Sequence, residues 1–142
     1  MGFDKYKRSQ GNLEEKGEKS KVKLVVVSYI YLDRAQGQTF EVWDQTEGRL
    51  VRWNNIIMHL NSLNVQQALL SGSIIKYNNP EIKSPNMPRK TKWKFPQHLS
   101  GKDFVWCKIV VMNRVRDIGF FEDNIFFVVF LDENHEFYPT EA

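Results

Sequence analysis

The sequence predicts an α+β fold: a single domain built on an antiparallel β-sheet of about four to five strands, with two short helices packed on one face. Three observations carry that expectation. β-Branched and aromatic residues crowd two well-separated stretches, near 22–33 and 104–131. Between them the apolar period becomes helical, with Trp53, Ile56, Ile57 and Leu60 at i, i+3, i+4 and i+7. The chain has 142 residues, 42% hydrophobic and 13% aromatic, which is enough for one sizeable core and too few for two comfortable domains.

In chain order, residues 1–21 are charged, contain glycine and have almost no large aliphatics. Ordering them would bury too little to offset the entropy, so they are expected to form a flexible charged tail before a single domain over 22–142. Residues 22–33, VKLVVVSYIYLD, have strand chemistry. AQGQ then turns the chain, and TFEVW, residues 39–43, alternates as a short partner strand would. The first helix begins near Arg52 and is interrupted at residues 61–64. A second helix carries Val65, Ala68 and Leu69 inward, and Gly72 closes it. Five prolines or glycines between Pro80 and Gly101 make residues 78–101 a Pro-rich basic loop. Strands are expected at 104–116, 118–121 and 125–131. The last two join at Glu122-Asp123-Asn124, with Asn124 suited to the left-handed position, and the continuous apolar content of the final strand predicts cover on both faces.

Charge narrows the function classes. The formal net charge is +3, and residues 1–23 alone carry seven Lys/Arg against four Asp/Glu, so the remainder is neutral. That remainder is polarised: residues 83–102 hold six basic side chains and no acidic one, whereas seven acidic residues and no Lys or Arg follow Arg116. The single Cys107 sits in the apolar run VWCKIVV and suits a reducing compartment. No apolar leader opens the chain, and the longest apolar run, 125–131, is too short to span a bilayer, so a cytoplasmic protein with no membrane partner is expected.

Three groups of residues suggest chemistry. In MPRKTKWKFP, Arg89, Lys90, Lys92 and Lys94 interleave with Trp93 and Phe95. That pattern suits phosphate neutralisation and base stacking on single-stranded nucleic acid, and it equally suits a solvated loop whose aromatics cover a sheet edge. Lys108, Arg114 and Arg116 fall on one face by period two, where they could hold phosphates or pair with the acidic C-terminal segment. His135 in DENHEFY stands among Asp132 and Glu136 with Tyr138 beyond, so the imidazole is a candidate general acid or base, or else an ordinary turn residue. The three histidines and Cys107 lack the short spacing of a metal site, and no phosphate loop, nucleophile elbow or dinucleotide fingerprint is present, so neither a metal nor a cofactor is expected.

A first strand, two short helices and a C-terminal antiparallel sheet carrying KIVVMNRVRDIGFF, with His135 and Tyr138 behind it, resembles the RelE and HigB toxins of bacterial toxin-antitoxin modules. GFFEDNIFFVVFLDENHEFYP is also similar to the endings of small bacterial proteins. The toxin resemblance implies metal-independent mRNA cleavage, with Arg114, Arg116 and Lys108 on the scissile phosphate and His135 or Tyr138 moving the proton. It also implies an antitoxin as protein partner. The acidic surroundings of His135 depart from that pattern, because they would repel RNA. Two functions therefore stand side by side: a small module binding RNA, single-stranded nucleic acid or an acidic protein through the arm from Arg89 to Phe95, and a metal-independent ribonuclease.

Overall fold

A computed structural model of the chain describes residues 22–77 and 82–139. The expected tail, 1–21, lies outside the described residues. The architecture is α+β. Strands β1 (Val26–Ser28), β2 (Ile75–Lys76), β3 (Cys107–Met112), β4 (Val115–Glu122) and β5 (Ile125–Asp132) form one sheet in the order β1-β5-β4-β3-β2. Helices α1 (Phe40–Asp44), α2 (Arg49–Leu60) and α3 (Val65–Leu70) fall between β1 and β2, and a 3-10 turn covers Gln97–Leu99. Among the described residues no helix is long and apolar enough to cross a membrane.

Several elements differ from the sequence expectation. The sheet is mixed, because β1 pairs in parallel with β5 while β2 to β5 pair antiparallel. TFEVW is the helix α1 and not a strand: Thr39 Oγ1 accepts from Val42 N at 3.3 Å as an N-cap, and Trp43 is the residue that enters the core. The first strand is only three residues long: Leu32 N donates back to Tyr29 O at 3.0 Å in a turn, and Asp33 then bends the chain further by accepting from Ala35 N and Gln36 N at 2.8 and 3.1 Å. The long strand expected at 104–116 breaks at a hairpin, with Asn113 in the left-handed region at φ 47°, so Arg114 lies in a turn. In the β4–β5 hairpin it is Asp123, at φ 56°, that takes the left-handed position expected of Asn124.

Both sheet faces are covered, as the apolar content of β5 predicts. On one face Trp43, Trp53, Leu60 and Ala68 from the helices pack on Ile109, Val111, Phe126, Val128 and Leu131. On the other, Trp93, Leu99, Phe104, Trp106 and Phe137 pack on Ile118, Phe120, Phe127, Val129 and Phe130. Val129 and Phe130 are chain neighbours yet face the same way, because a bulge places Ile118 opposite Phe130 and Gly119 opposite Val128. The carbonyl of the bulged Val129 accepts from Asp33 N at 2.8 Å, which ties the exit of β1 to the sheet. Gly119 is required at this bulge, since a Cβ there would lie 1.9 Å from the Phe127 carbonyl oxygen.

Candidate nucleic-acid interface

The basic arm is held from within. Trp93 is 6% exposed and stacks on Phe130 with ring centroids 5.0 Å apart, and half-buried Phe95 stacks on Phe104 at 6.0 Å. Gln36 fixes the segment between them: its Oε1 accepts from Lys94 N at 2.7 Å and its Nε2 donates to Lys94 O at 2.9 Å. An extended segment points alternate side chains to opposite sides, so inward aromatics leave the intervening cations outside. Arg89, Lys90, Lys92 and Lys94 are all solvent-accessible. Lys92 pairs with Glu136, while Arg89, Lys90 and Lys94 form no ion pair among the described residues. In this arrangement the arm offers charge to a partner, and its indole serves the core and not a base.

The acidic segment after β5 folds into a clasp. Asp132, 1% exposed, accepts from Glu136 N and Phe137 N, each at 2.9 Å, and this tight return drops Phe137 into the second core. Burial raises the Asp132 pKa, opposed by those two backbone bonds and by the nearby His135. Glu133 Oε1 pairs with the buried Arg49 Nη1 at 2.9 Å, and the Glu133 N–H donates to Gln38 Oε1. His135 sits half-buried in the turn at φ 60°, where Asn, Asp and His are the non-glycine residues most often found.

The proposed phosphate and proton-transfer residues gather into two pairs. Arg116 stands opposite Asp132 across the β4–β5 ladder and its Nη1 donates to Asn113 O at 3.2 Å, while His135 lies near Asp132. Lys108 lies over the Tyr77 ring at 5.2 Å, while Tyr138 stacks on the same ring at 5.3 Å and 6°. Lys108 is 7% exposed, and Lys108 and Arg116 share a face by the register Lys108↔Ile118 and Val110↔Arg116. Arg114, exposed in the β3–β4 turn, is not on their strand face.

Two features escaped sequence reasoning. Asp117 is wholly buried on β4, neither carboxylate oxygen has a hydrogen-bond partner among the described residues, and desolvation raises its pKa well above the ordinary value. Near it, the Tyr29 hydroxyl accepts from Trp53 Nε1 at 2.6 Å, and burial pushes the phenol up to about 12, offset in part by that bond and reinforced by Asp117. Gln36, the residue that positions the arm, carries no local signal of its partner 58 residues away. Among the described residues no group of His, Cys, Asp or Glu is arranged to hold a metal.

Compared with family models, curated proteins and solved structures, the chain matches none.

Proposed function

We propose that the protein is a small binding module that contacts the phosphate backbone of single-stranded nucleic acid through the arm from Arg89 to Phe95. The supporting observation is the sidedness of that arm: Trp93 and Phe95 anchor it to the core, and Arg89, Lys90, Lys92 and Lys94 face solvent on a segment latched by Gln36. Pre-fixed cations lose less side-chain and backbone freedom on binding than a floppy loop would, and counterion release supplies sequence-independent affinity. The recognition is by charge, because the larger aromatic is committed inward.

The test is anisotropy titration of a labelled single-stranded RNA across a salt series. Changing all four cations to Gln should flatten the slope of log affinity against log salt by about 0.7 for each phosphate no longer neutralised. No affinity at low salt, or a slope untouched by the fourfold change, refutes the reading. Poly-glutamate binding as tight as RNA binding would move it to an acidic protein partner. A second reading, a metal-independent ribonuclease, draws on the pairing of Arg116 with the Asp132–His135 turn and of Lys108 with Tyr138 around Tyr77. RNA incubated with the protein in EDTA separates the two. Cleavage lost in His135→Ala favours the enzyme, and intact RNA with a salt-sensitive shift favours the module.

A further inference from the structure

We infer that the hollow between the exit of β1 and α1 is a binding site for a small zwitterion with an apolar body, of the aromatic or branched-chain amino-acid kind. The hollow encloses about 350 Å³, within the range of small-ligand sites. Tyr29 and Phe40 form an aromatic corner, with ring centroids 5.1 Å apart and planes at 88°, and Leu32 completes the apolar wall. Two other hollows, of about 470 and 440 Å³, have no aromatic wall.

The polar chemistry around this corner is selective. Asp33 is committed to its own turn, accepting from Ala35 N, Gln36 N and Gln36 Nε2, and Gln38 Oε1 accepts from Glu133 N. Beside the Gln38 amide N–H groups and the Thr39 hydroxyl, two charged groups are left to meet a ligand. Arg34 and Glu41 line the hollow, both exposed, and neither makes an ion pair or side-chain hydrogen bond among the described residues. A guanidinium and a carboxylate on one rim oppose a ligand with a single net charge of either sign and favour one that carries both. An apolar side chain would fill the Tyr29–Phe40–Leu32 corner. Its carboxylate would meet Arg34 and its ammonium would meet Glu41.

Amide chemical-shift titration with L-phenylalanine, phenylacetate and phenethylamine tests this without nucleic acid, so its outcome is independent of the arm. Saturable shifts with L-phenylalanine should centre on residues 29–41, at the millimolar affinity that a dozen heavy atoms in a shallow site reach. Phenylacetate and phenethylamine should each bind about two- to fivefold more weakly, the worth of one exposed ion pair. Arg34→Gln should erase the advantage over phenethylamine, and Glu41→Gln the advantage over phenylacetate. Both changes are at exposed positions that leave the fold intact. No saturable shift with any of the three probes, equal binding of all three, or an L-phenylalanine preference unaltered in both variants overturns the assignment.

Discussion

Replacing Asp117 with asparagine should change how stability depends on pH more than any other substitution in the sheet. Asp117 is completely buried between Ile109 of β3 and Leu131 of β5, and neither of its oxygens has a hydrogen-bond partner among the described residues. Burial without compensation disfavours the carboxylate, so the folded-state pKa stands well above the unfolded value near 3.8. A raised pKa means that the folded state keeps its proton where the unfolded state has lost it. The protein is therefore most stable, with respect to this group, below the unfolded value. Each pH unit above it costs about 1.4 kcal/mol until the folded-state value is reached, after which the loss is complete. The asparagine side chain does not titrate, and it has nearly the same shape as the protonated acid. Urea unfolding of the parent and of Asp117→Asn at successive pH values between 4 and 7 isolates the group, because Asp132 and the other carboxylates are common to both and cancel. The free-energy difference, variant minus parent, should rise with pH, at up to about 1.4 kcal/mol per unit, until the folded-state pKa is passed. A difference that stays flat from pH 4 to 7 would mean that Asp117 is ionised and solvated in the fold, and the reasoning from its burial would fail.

Gly119→Ala should abolish soluble folding or cost more than about 4 kcal/mol, because its Cβ would meet the Phe127 carbonyl oxygen at 1.9 Å and both residues belong to paired strands; denaturant midpoints or soluble yield check it. Trp93→Ala should lower stability by about 3–5 kcal/mol, as for a buried aromatic, whereas loss of a base-stacking platform would leave the melt unchanged. Burial pushes the Cys107 thiol up to about 12 despite the opposing charge of Lys76, so alkylation at pH 8 should proceed only as fast as the protein unfolds; rapid labelling of the native protein would show the thiol exposed.

The sequence made α2 legible because four apolar residues recur on one helical face, and Trp53 and Leu60 do enter the core from it. Helix α1 was not legible. In five residues, Phe40 and Val42 alternate like a strand, and only the distant packing of Trp43 together with the Thr39 cap decides for helix. The β3–β4 hairpin was hidden for a related reason: Asn113-Arg114 turns the chain with neither Gly nor Pro, so FVWCKIVVMNRVR reads as one strand. Parallel pairing of β1 with β5 joins segments about a hundred residues apart, on which local pattern is silent. Within the candidate interface, alternation of cations and aromatics was plain. Which side faces the protein was not, because an extended segment satisfies the pattern either way round until tertiary packing chooses. Asp117 reads as a surface charge in RVRDIGFF, and only the helices laid over that face bury it.

The acidic run after β5 bears directly on whether a polyanion could approach the arm. An acidic DENHEFY turn packed beside a row of lysines looks self-defeating, since its carboxylates would repel phosphate. In the fold each carboxylate has a local use. Asp132 is buried and bonded to two backbone N–H groups, Glu133 neutralises the buried Arg49 on the helix side, and Glu136 pairs with Lys92. Coulomb repulsion from a carboxylate already paired or satisfied by N–H dipoles is much reduced at the distance of a bound phosphate, and salt reduces it further. The clasp also places Phe137 against Trp93, with ring centroids 6.4 Å apart, so the acidic turn and the arm rest on the same aromatic layer. Polarisation of the neutral body into basic and acidic stretches is thus compatible with a cationic outer surface at the arm: the acid acts inward and sideways to hold the scaffold, and Arg89, Lys90 and Lys94 are left facing out.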